Sequence, residues 1–388
     1  MRTAFSRVVL SLIVGMSVSY ADDASNLEEA FTKGELTASV GAYGQYFNKK
    51  GGTKDDGFAN GFGEVGFQTA PLYGISVGLK AFGSVKLDDK NDAYDAEGAI
   101  EDNAVLSEAF IKYEHEGVGH IVLGRQEVDF NWLTDYIEGV SAELSAIENL
   151  VVNMAWARKQ SVVGFDEISE KFAKMNDNDG IYMLEAVYTP IEMLELNPYI
   201  YYGDNVFTAY GAKATLNFEL SDALKTSTML HYAKVNSDAT TEEDDGLGGT
   251  VNVKVEDGSF MQVEQGFEFS GVSLALGYMK TDKDGLAGLE SFGDQSPLEE
   301  GNHVFDANAK TPYASISYEI EGVKLGALYA QSKYDDGISS SVKEKELDVS
   351  VGYEIIKNLE ASLIYVNVDN DTKADSYNAL KALVKYTF

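Results

Sequence analysis

Apolar and polar residues alternate one by one along most of this chain. Leu347, Val349, Val351, Tyr353 and Ile355 form one face of a segment, and Asp348, Ser350, Gly352 and Glu354 the other. A period of two marks a β-strand with two unlike faces. Ile75, Val77, Leu79 and Ala81 alternate in the same way with Ser76, Gly78 and Lys80. So do Val272, Leu274, Leu276 and Tyr278, and Ala314, Ile316, Tyr318 and Ile320. The pattern predicts strands near 35–47, 60–70, 73–87, 103–115, 119–127, 137–146, 149–158, 180–189, 192–202 and 206–218. It continues near 222–235, 259–269, 271–281, 312–320, 322–333, 344–355, 359–368 and 376–388. That makes eighteen segments.

The connections fall into two kinds. Short ones include Pro71–Leu72, Glu116–Val118, Ser270, Glu321 and Ile356–Asn358. Long acidic ones include Asn48–Ala59, Asp88–Asp102, Lys159–Asp179, Asn236–Gly258, Asp282–Thr311 and Tyr334–Lys343. Gly203–Asn205 is short where a long connection is due. Short turns at one rim and long loops at the other characterise outer-membrane barrels, whose strands are even in number. The predicted fold is an all-β, closed, antiparallel transmembrane β-barrel of eighteen strands, with sixteen as the alternative count. Its short turns would be periplasmic and its long loops extracellular.

Which face is the outer one follows from size. Eighteen strands enclose a space too wide for side chains to fill, so the polar face lines the interior and the apolar face meets lipid. Lys80, Lys86, Glu264, Glu268, Glu346, Asp348, Lys381 and Lys385 are then the candidate lumen-facing ionised residues. Tyrosines near strand ends (Tyr43, Tyr113, Tyr202, Tyr232, Tyr278, Tyr329 and Tyr386) suit interfacial girdles. The final segment is amphipathic and ends on Tyr386 and Phe388, which looks like a barrel-assembly signal.

The start of the chain reads as an address. Arg2 and Arg7 precede the apolar run Val8–Val18, and Ser19-Tyr20-Ala21 supplies small residues at a cleavage site. This is the pattern of a secretory signal peptide over 1–21. Residues 22–34 would form a periplasmic N-terminal segment, and 35–388 the barrel.

Composition sharpens this picture. Thirty Lys and Arg against 63 Asp and Glu give a net charge of −33. Removing Arg2 and Arg7 makes it 28 − 63 = −35. Such a charge disfavours nucleic acid as a partner. With no cysteine, disulfides, thiolate metal sites and cysteine nucleophiles are excluded. His115, His120, His231 and His303 show no metal-ligand spacing, and no G-x-S-x-G or phosphate loop occurs. Asn176-Asp177-Asn178-Asp179-Gly180 resembles the start of a calcium loop. Placing Gly180 sixth puts Met175 first and Ala186 twelfth, so the frame fails. No enzyme activity, cofactor or metal site is predicted; weak calcium binding by the acidic loops stays open.

Leu123–Gln126 (LGRQ), Glu138–Val140 (EGV) and Glu148–Leu150 (ENL), with the opening Leu27–Phe31 and Lys33–Glu35, resemble the porin D-like outer-membrane porins. The likeness is greatest to the major porins of epsilon-class proteobacteria. The resemblance implies an eighteen-stranded Gram-negative outer-membrane porin, often trimeric, passing small hydrophilic solutes. Lipid, lipopolysaccharide and the barrel-assembly machinery would be its partners. Family members line the lumen with an arginine ladder, whereas only Arg125 and Arg158 lie beyond residue 7 here. Both could sit at a constriction opposite Asp129, Asp135 and Glu138. Arg158 shares the parity of Trp156, the lipid side, unless a bulge intervenes. Loops 128–136 and 159–179 carry apolar residues suited to folding inward. The expected function is passive, cation-preferring diffusion; the alternative is a surface adhesin or structural envelope barrel.

Overall fold

The computed structural model describes residues 23–169, 171–221, 223–244 and 250–388, so the segment read as a signal peptide lies outside the described residues. A single helical turn, α1 (Leu27–Thr32), opens the described chain. Asn26 caps it by accepting from the Glu29 N–H, while Glu29 accepts from the Ser25 N–H, a reciprocal cap. The Ala70 N–H donates to Ala30 O, which seats the helix beside the turn after the second strand.

Eighteen barrel strands follow. They are β1 (Glu35–Lys49), β2 (Asp56–Gln68), β3 (Ile75–Lys90), β4 (Ala104–His115), β5 (Gly119–Phe130) and β6 (Leu133–Ile147). Next come β7 (Leu150–Ser161), β8 (Ile181–Ile191), β9 (Leu194–Gly203), β10 (Phe207–Ser221), β11 (Leu224–Ser237) and β12 (Gly258–Phe269). The last six are β13 (Val272–Thr281), β14 (Ala307–Ile320), β15 (Val323–Asp335), β16 (Val342–Ile356), β17 (Leu359–Asn370) and β18 (Tyr377–Thr387). Ala173–Lys174 adds a short piece beside β7, and 240–244 with 250–254 form a separate hairpin.

Each strand runs antiparallel to the next. β18 pairs back onto β1 from Ser39/Thr387 to Lys49/Tyr377, which closes the sheet into an eighteen-stranded barrel. Closure satisfies the backbone groups of every strand without an edge, the condition for crossing lipid as β-structure. All eighteen segments read from the alternation are present, with ends displaced by a few residues.

Tight turns occupy one rim. Ser270-Gly271 and Glu321-Gly322 both have positive φ at their two residues, a geometry that favours glycine at the second position. The opposite rim carries the long connections 91–103, 162–180, 238–257 and 282–306. It also carries two tight ones, 131–132 and 204–206. The expected loop 128–136 is thus a correction: the strands run on to Phe130 and from Leu133, leaving a two-residue turn.

The outer face is apolar. Val40, Leu79, Ile111, Leu123, Leu276, Val349 and Leu380 are all exposed on the outward parity. Near the long-loop rim Trp156 and Tyr182 stack at 6.5 Å, and Tyr182 and Tyr202 lie 6.4 Å apart, a girdle of the kind interfaces favour. Tyr43 departs from the girdle expectation. It is 2% exposed and faces inward, against Phe58 and Phe165.

Candidate functional site

The interior is narrowed from the long-loop rim by four inserted segments. The first is the tip of the β5–β6 hairpin. β4 and β5 pair only from His115/Gly119 to Ala109/Arg125, whereas β5 and β6 stay paired to Phe130/Leu133. Above Arg125 the hairpin leaves β4 and leans inward. Its Asn131 N–H donates to Glu185 Oε1 on β8 (3.0 Å). The Trp132 N–H donates to the Tyr201 hydroxyl (3.0 Å) and its indole N–H to the Tyr199 hydroxyl (2.9 Å), both on β9. The indole is fully buried, edge-on to Phe260 of β12 at 5.6 Å.

Loop 282–306 is the second. Leu286, Leu289, Leu298 and Val304 join Trp132, Tyr199, Phe260 and Tyr313 in one apolar cluster. The Thr134 N–H and the Gln160 side chain both donate to Phe292 O, at 3.1 and 2.9 Å. Burial holds the Glu290 carboxyl up at about 6, with Asp306 and Asp294 adding to the rise. His303 stacks on Tyr334 at 4.0 Å. Burial opposes its charged form, but the Asp306 hydrogen bond and the Glu344 carboxylate outweigh that and raise its pKa.

Loops 91–103 and 162–180 fill the other side. Ile100 and Ile168 bridge in parallel, and the Glu101 N–H donates to Ile168 O at 2.9 Å. Asn60 of β2 donates to Phe165 O at 2.8 Å. These residues pack with Phe58, Phe62, Phe82, Val366 and Val368 in a second apolar cluster. The sequence points to loop 159–179 as one that folds inward, and 162–180 does so; loops 91–103 and 282–306 fold inward as well. The same signal, apolar residues within an acidic loop, was present in both: Tyr94 and Ile100 in one, Leu286, Leu289 and Leu298 in the other.

A cavity of about 610 Å³ lies between the two fillings. Glu97, Glu101, Glu167 and Lys174 are the charged groups on its wall, with Gln160, Ser161 and Ser169. A second space of about 790 Å³ near the short-turn rim is bordered by Glu192, Glu219, Lys225 and Glu268.

The arginines meet at one carboxylate. Arg125 Nε lies 3.2 Å from Glu138 Oε2, Lys159 Nζ lies 3.1 Å from Glu138 Oε1, and Arg158 pairs with the same oxygen. Glu138 stands opposite Lys159 and Gly139 opposite Ala157, so Arg158 is the extra residue of a β-bulge. A β-carbon on Gly139 would lie 1.9 Å from Trp156 O, so this close approach requires glycine. Arg125 also donates to Leu106 O across the parting of β4 and β5, and Phe172 covers its guanidinium at 4.2 Å. Asp129 is exposed opposite Thr134, and Asp135 accepts from the Thr134 hydroxyl. Of the three carboxylates expected at the constriction, Glu138 binds both arginines.

The remaining ionised residues take the inward parity. Lys80 lies 3.1 Å from Glu108 and 3.5 Å from Glu127. Lys86 lies 3.0 Å from Asp89 and 2.6 Å from Asp95. Glu264 accepts from the Tyr313 hydroxyl at 2.6 Å. Glu268 stands opposite Lys225, and Lys385 opposite Glu360. Glu346, Asp348 and Lys381 contact loop 282–306. Asn176–Asn178 form a short 3₁₀ turn. Among the described residues no group of three or more His, Cys, Asp or Glu side chains is placed to hold a metal ion.

The sequence matches, over residues 12–245, the HP_OMP_2 family, described as "Putative outer membrane protein". No curated protein matches the chain. Among solved structures the fold is similar to Acinetobacter baumannii OccAB1, at 15% identity and a TM-score of 0.74, covering 94% of this chain and 98% of that one. Pseudomonas aeruginosa OccK8 (OprE) is similar at 14% identity and a TM-score of 0.71, covering 91% and 98%. Pseudomonas aeruginosa OccK9 (OpdG) is similar at 14% identity and 0.71, covering 93% and 100%.

Proposed function

From its membership of the HP_OMP_2 outer-membrane protein family, and from a closed barrel with an apolar outside, we propose that this chain is a passive diffusion channel for ions and small hydrophilic solutes, preferring cations. One observation carries the reading. A cavity remains between the inserted segments, and its wall carries Glu97, Glu101 and Glu167 against Lys174. An excess of fixed negative charge in a narrow, low-dielectric passage concentrates cations and repels anions. No step of this reading is catalytic.

The constriction is formed by the β5–β6 tip and loop 282–306. Arg125, Arg158 and Glu138 act at the base of the leaning hairpin, with Asp129 and Asp135 nearer its tip. Lys80, Lys86, Glu264, Glu268 and Lys385 set the potential along the wall, Lys80 and Lys86 being paired with carboxylates. The exposed Phe388, whose ring meets Tyr386 edge-on at 5.0 Å, is accessible to the assembly machinery at the short-turn rim. Lipid and lipopolysaccharide cover the outer face, and association as a homotrimer follows the family resemblance.

The test is single-channel recording in a salt gradient. A reversal potential of cationic sign is expected, and one of anionic sign overturns the cation claim. The four inserted segments favour the alternative, a closed barrel acting at the surface, only if a folded barrel conducts nothing.

A further inference from the structure

Four carboxylates and one ammonium meet where loop 282–306 touches β16 and β18. Lys381 of β18 is wholly buried, its Nζ 2.9 Å from Glu299 Oε1 and 2.8 Å from Glu300 Oε1. Across from it, the wall carboxylates hold the loop's backbone. The Glu299 N–H donates to Asp348 Oδ2 (3.1 Å), the Glu300 N–H to Glu346 Oε1 (2.8 Å) and the Gly301 N–H to Glu346 Oε2 (3.0 Å). The Tyr377 hydroxyl donates to Glu300 Oε2 at 3.0 Å.

The two halves of this contact differ in what they need. The backbone N–H groups donate to Glu346 and Asp348 but add no net charge. They draw Glu299 and Glu300 toward two further carboxyl groups on the wall, in a place shielded from water. Lys381 brings the full opposite charge that Glu299 and Glu300 pair with, so it decides whether the segment can stay there. Removing one partner of a buried charge set leaves the others uncompensated, a far larger effect than losing an exposed pair.

We propose that Lys381 is the positioning residue that holds loop 282–306 across the interior and thereby sets the bore of the channel. The proposal rests on the channel reading above. It extends that reading by making the width of the pore depend on one buried lysine of the wall and its contact with Glu299 and Glu300, beside the loop's own apolar packing.

The test uses the full-length protein in planar bilayers and in detergent. Lys381→Met is expected to raise single-channel conductance about two-fold or more, because the inserted loop leaves the passage. Glu299→Gln with Glu300→Gln weakens the same contact from the loop side, leaves the wall untouched, and is expected to act in the same direction should Lys381→Met fail to fold. A readout independent of conduction comes from Leu298→Cys, a buried loop position in a chain with no other cysteine. Its labelling by a polar maleimide should be slow in the parent and at least about ten-fold faster with Lys381→Met, since the thiol reacts only when exposed. A parent that conducts, with unchanged conductance in both variants and the introduced thiol equally protected in each, overturns the proposal. A parent that does not conduct overturns the channel reading, while faster labelling in Lys381→Met would still support the latch.

Discussion

Trp132 carries the heaviest single contact between the leaning hairpin and the far wall, so Trp132→Ala is the sharpest perturbation of the constriction. The indole is fully buried among Tyr199, His231, Phe260 and Phe305. Truncating a buried tryptophan costs roughly 3–5 kcal/mol, cavity included. The backbone bond from residue 132 to Tyr201 survives, and Tyr199 keeps His231 as a partner at 2.8 Å, so no buried group is orphaned. The loss should fall on docking of the tip rather than on the barrel, whose closed ladder does not involve the indole. At about 1.4 kcal/mol per tenfold, the docked-to-free ratio of the tip drops by roughly 10²–10⁴. Planar-bilayer recordings of Trp132→Ala should show higher conductance and flickering between levels. Trp132→Phe keeps the edge-on contacts and loses only the indole hydrogen bond, about 1 kcal/mol, and should resemble the parent. A Trp132→Ala barrel with the parent's conductance and noise would refute the assignment of the constriction to this tip.

Three further outcomes follow from the same geometry. Glu138→Gln leaves Arg125, Arg158 and Lys159 together without their shared carboxylate. The partial exposure of the three cations limits the stability loss to the order of 1 kcal/mol, read as a lower urea midpoint, and the freed cations should move the reversal potential toward anions. Docking of loop 282–306 should weaken as pH rises. A Glu290 carboxyl held up at about 6 contributes fully below its ordinary 4.5 and loses that contribution as pH passes about 6, roughly 2 kcal/mol in all. His303, raised above 6.5, has the same sign, so amide exchange in 286–304 should gain over its intrinsic rate between pH 5 and pH 8. In Gly139→Ala the added methyl has no room beside Trp156 O, so the β6–β7 pairing should shift there, costing about 1–3 kcal/mol of stability, read as a lower urea midpoint.

The barrel was legible because its signal is local. Alternation is fixed by the pleat, and a closed ladder repeats it eighteen times, so each strand could be read alone. The same reading misplaced Tyr43 and gave no reason for Ile364, Val366 and Val368, which are apolar on the inward parity. These residues answer to loops 91–103 and 162–180, which reach them from far along the chain. The Arg158 cluster shows the same limit. Parity puts Arg158 on the face of Trp156, and Glu138 and Arg125 share that face with Val140 and Leu123, so the three meet where the hairpin parts from β4. In the site, the residue types were visible; their pairing was not, because it depends on where the hairpin leaves β4.

The position of Lys381 has a temporal meaning. It sits on the strand that zips against β1, the last of the eighteen in chain order and the one whose pairing completes the wall. Loop 282–306 is synthesised earlier but finds its counter-charge only once that strand has arrived. An unfinished barrel is therefore also an unlatched one, and the passage would start wide and narrow as the seam shuts. Protection of the loop from protease would then serve as a clock for barrel completion, independent of any measurement of transport.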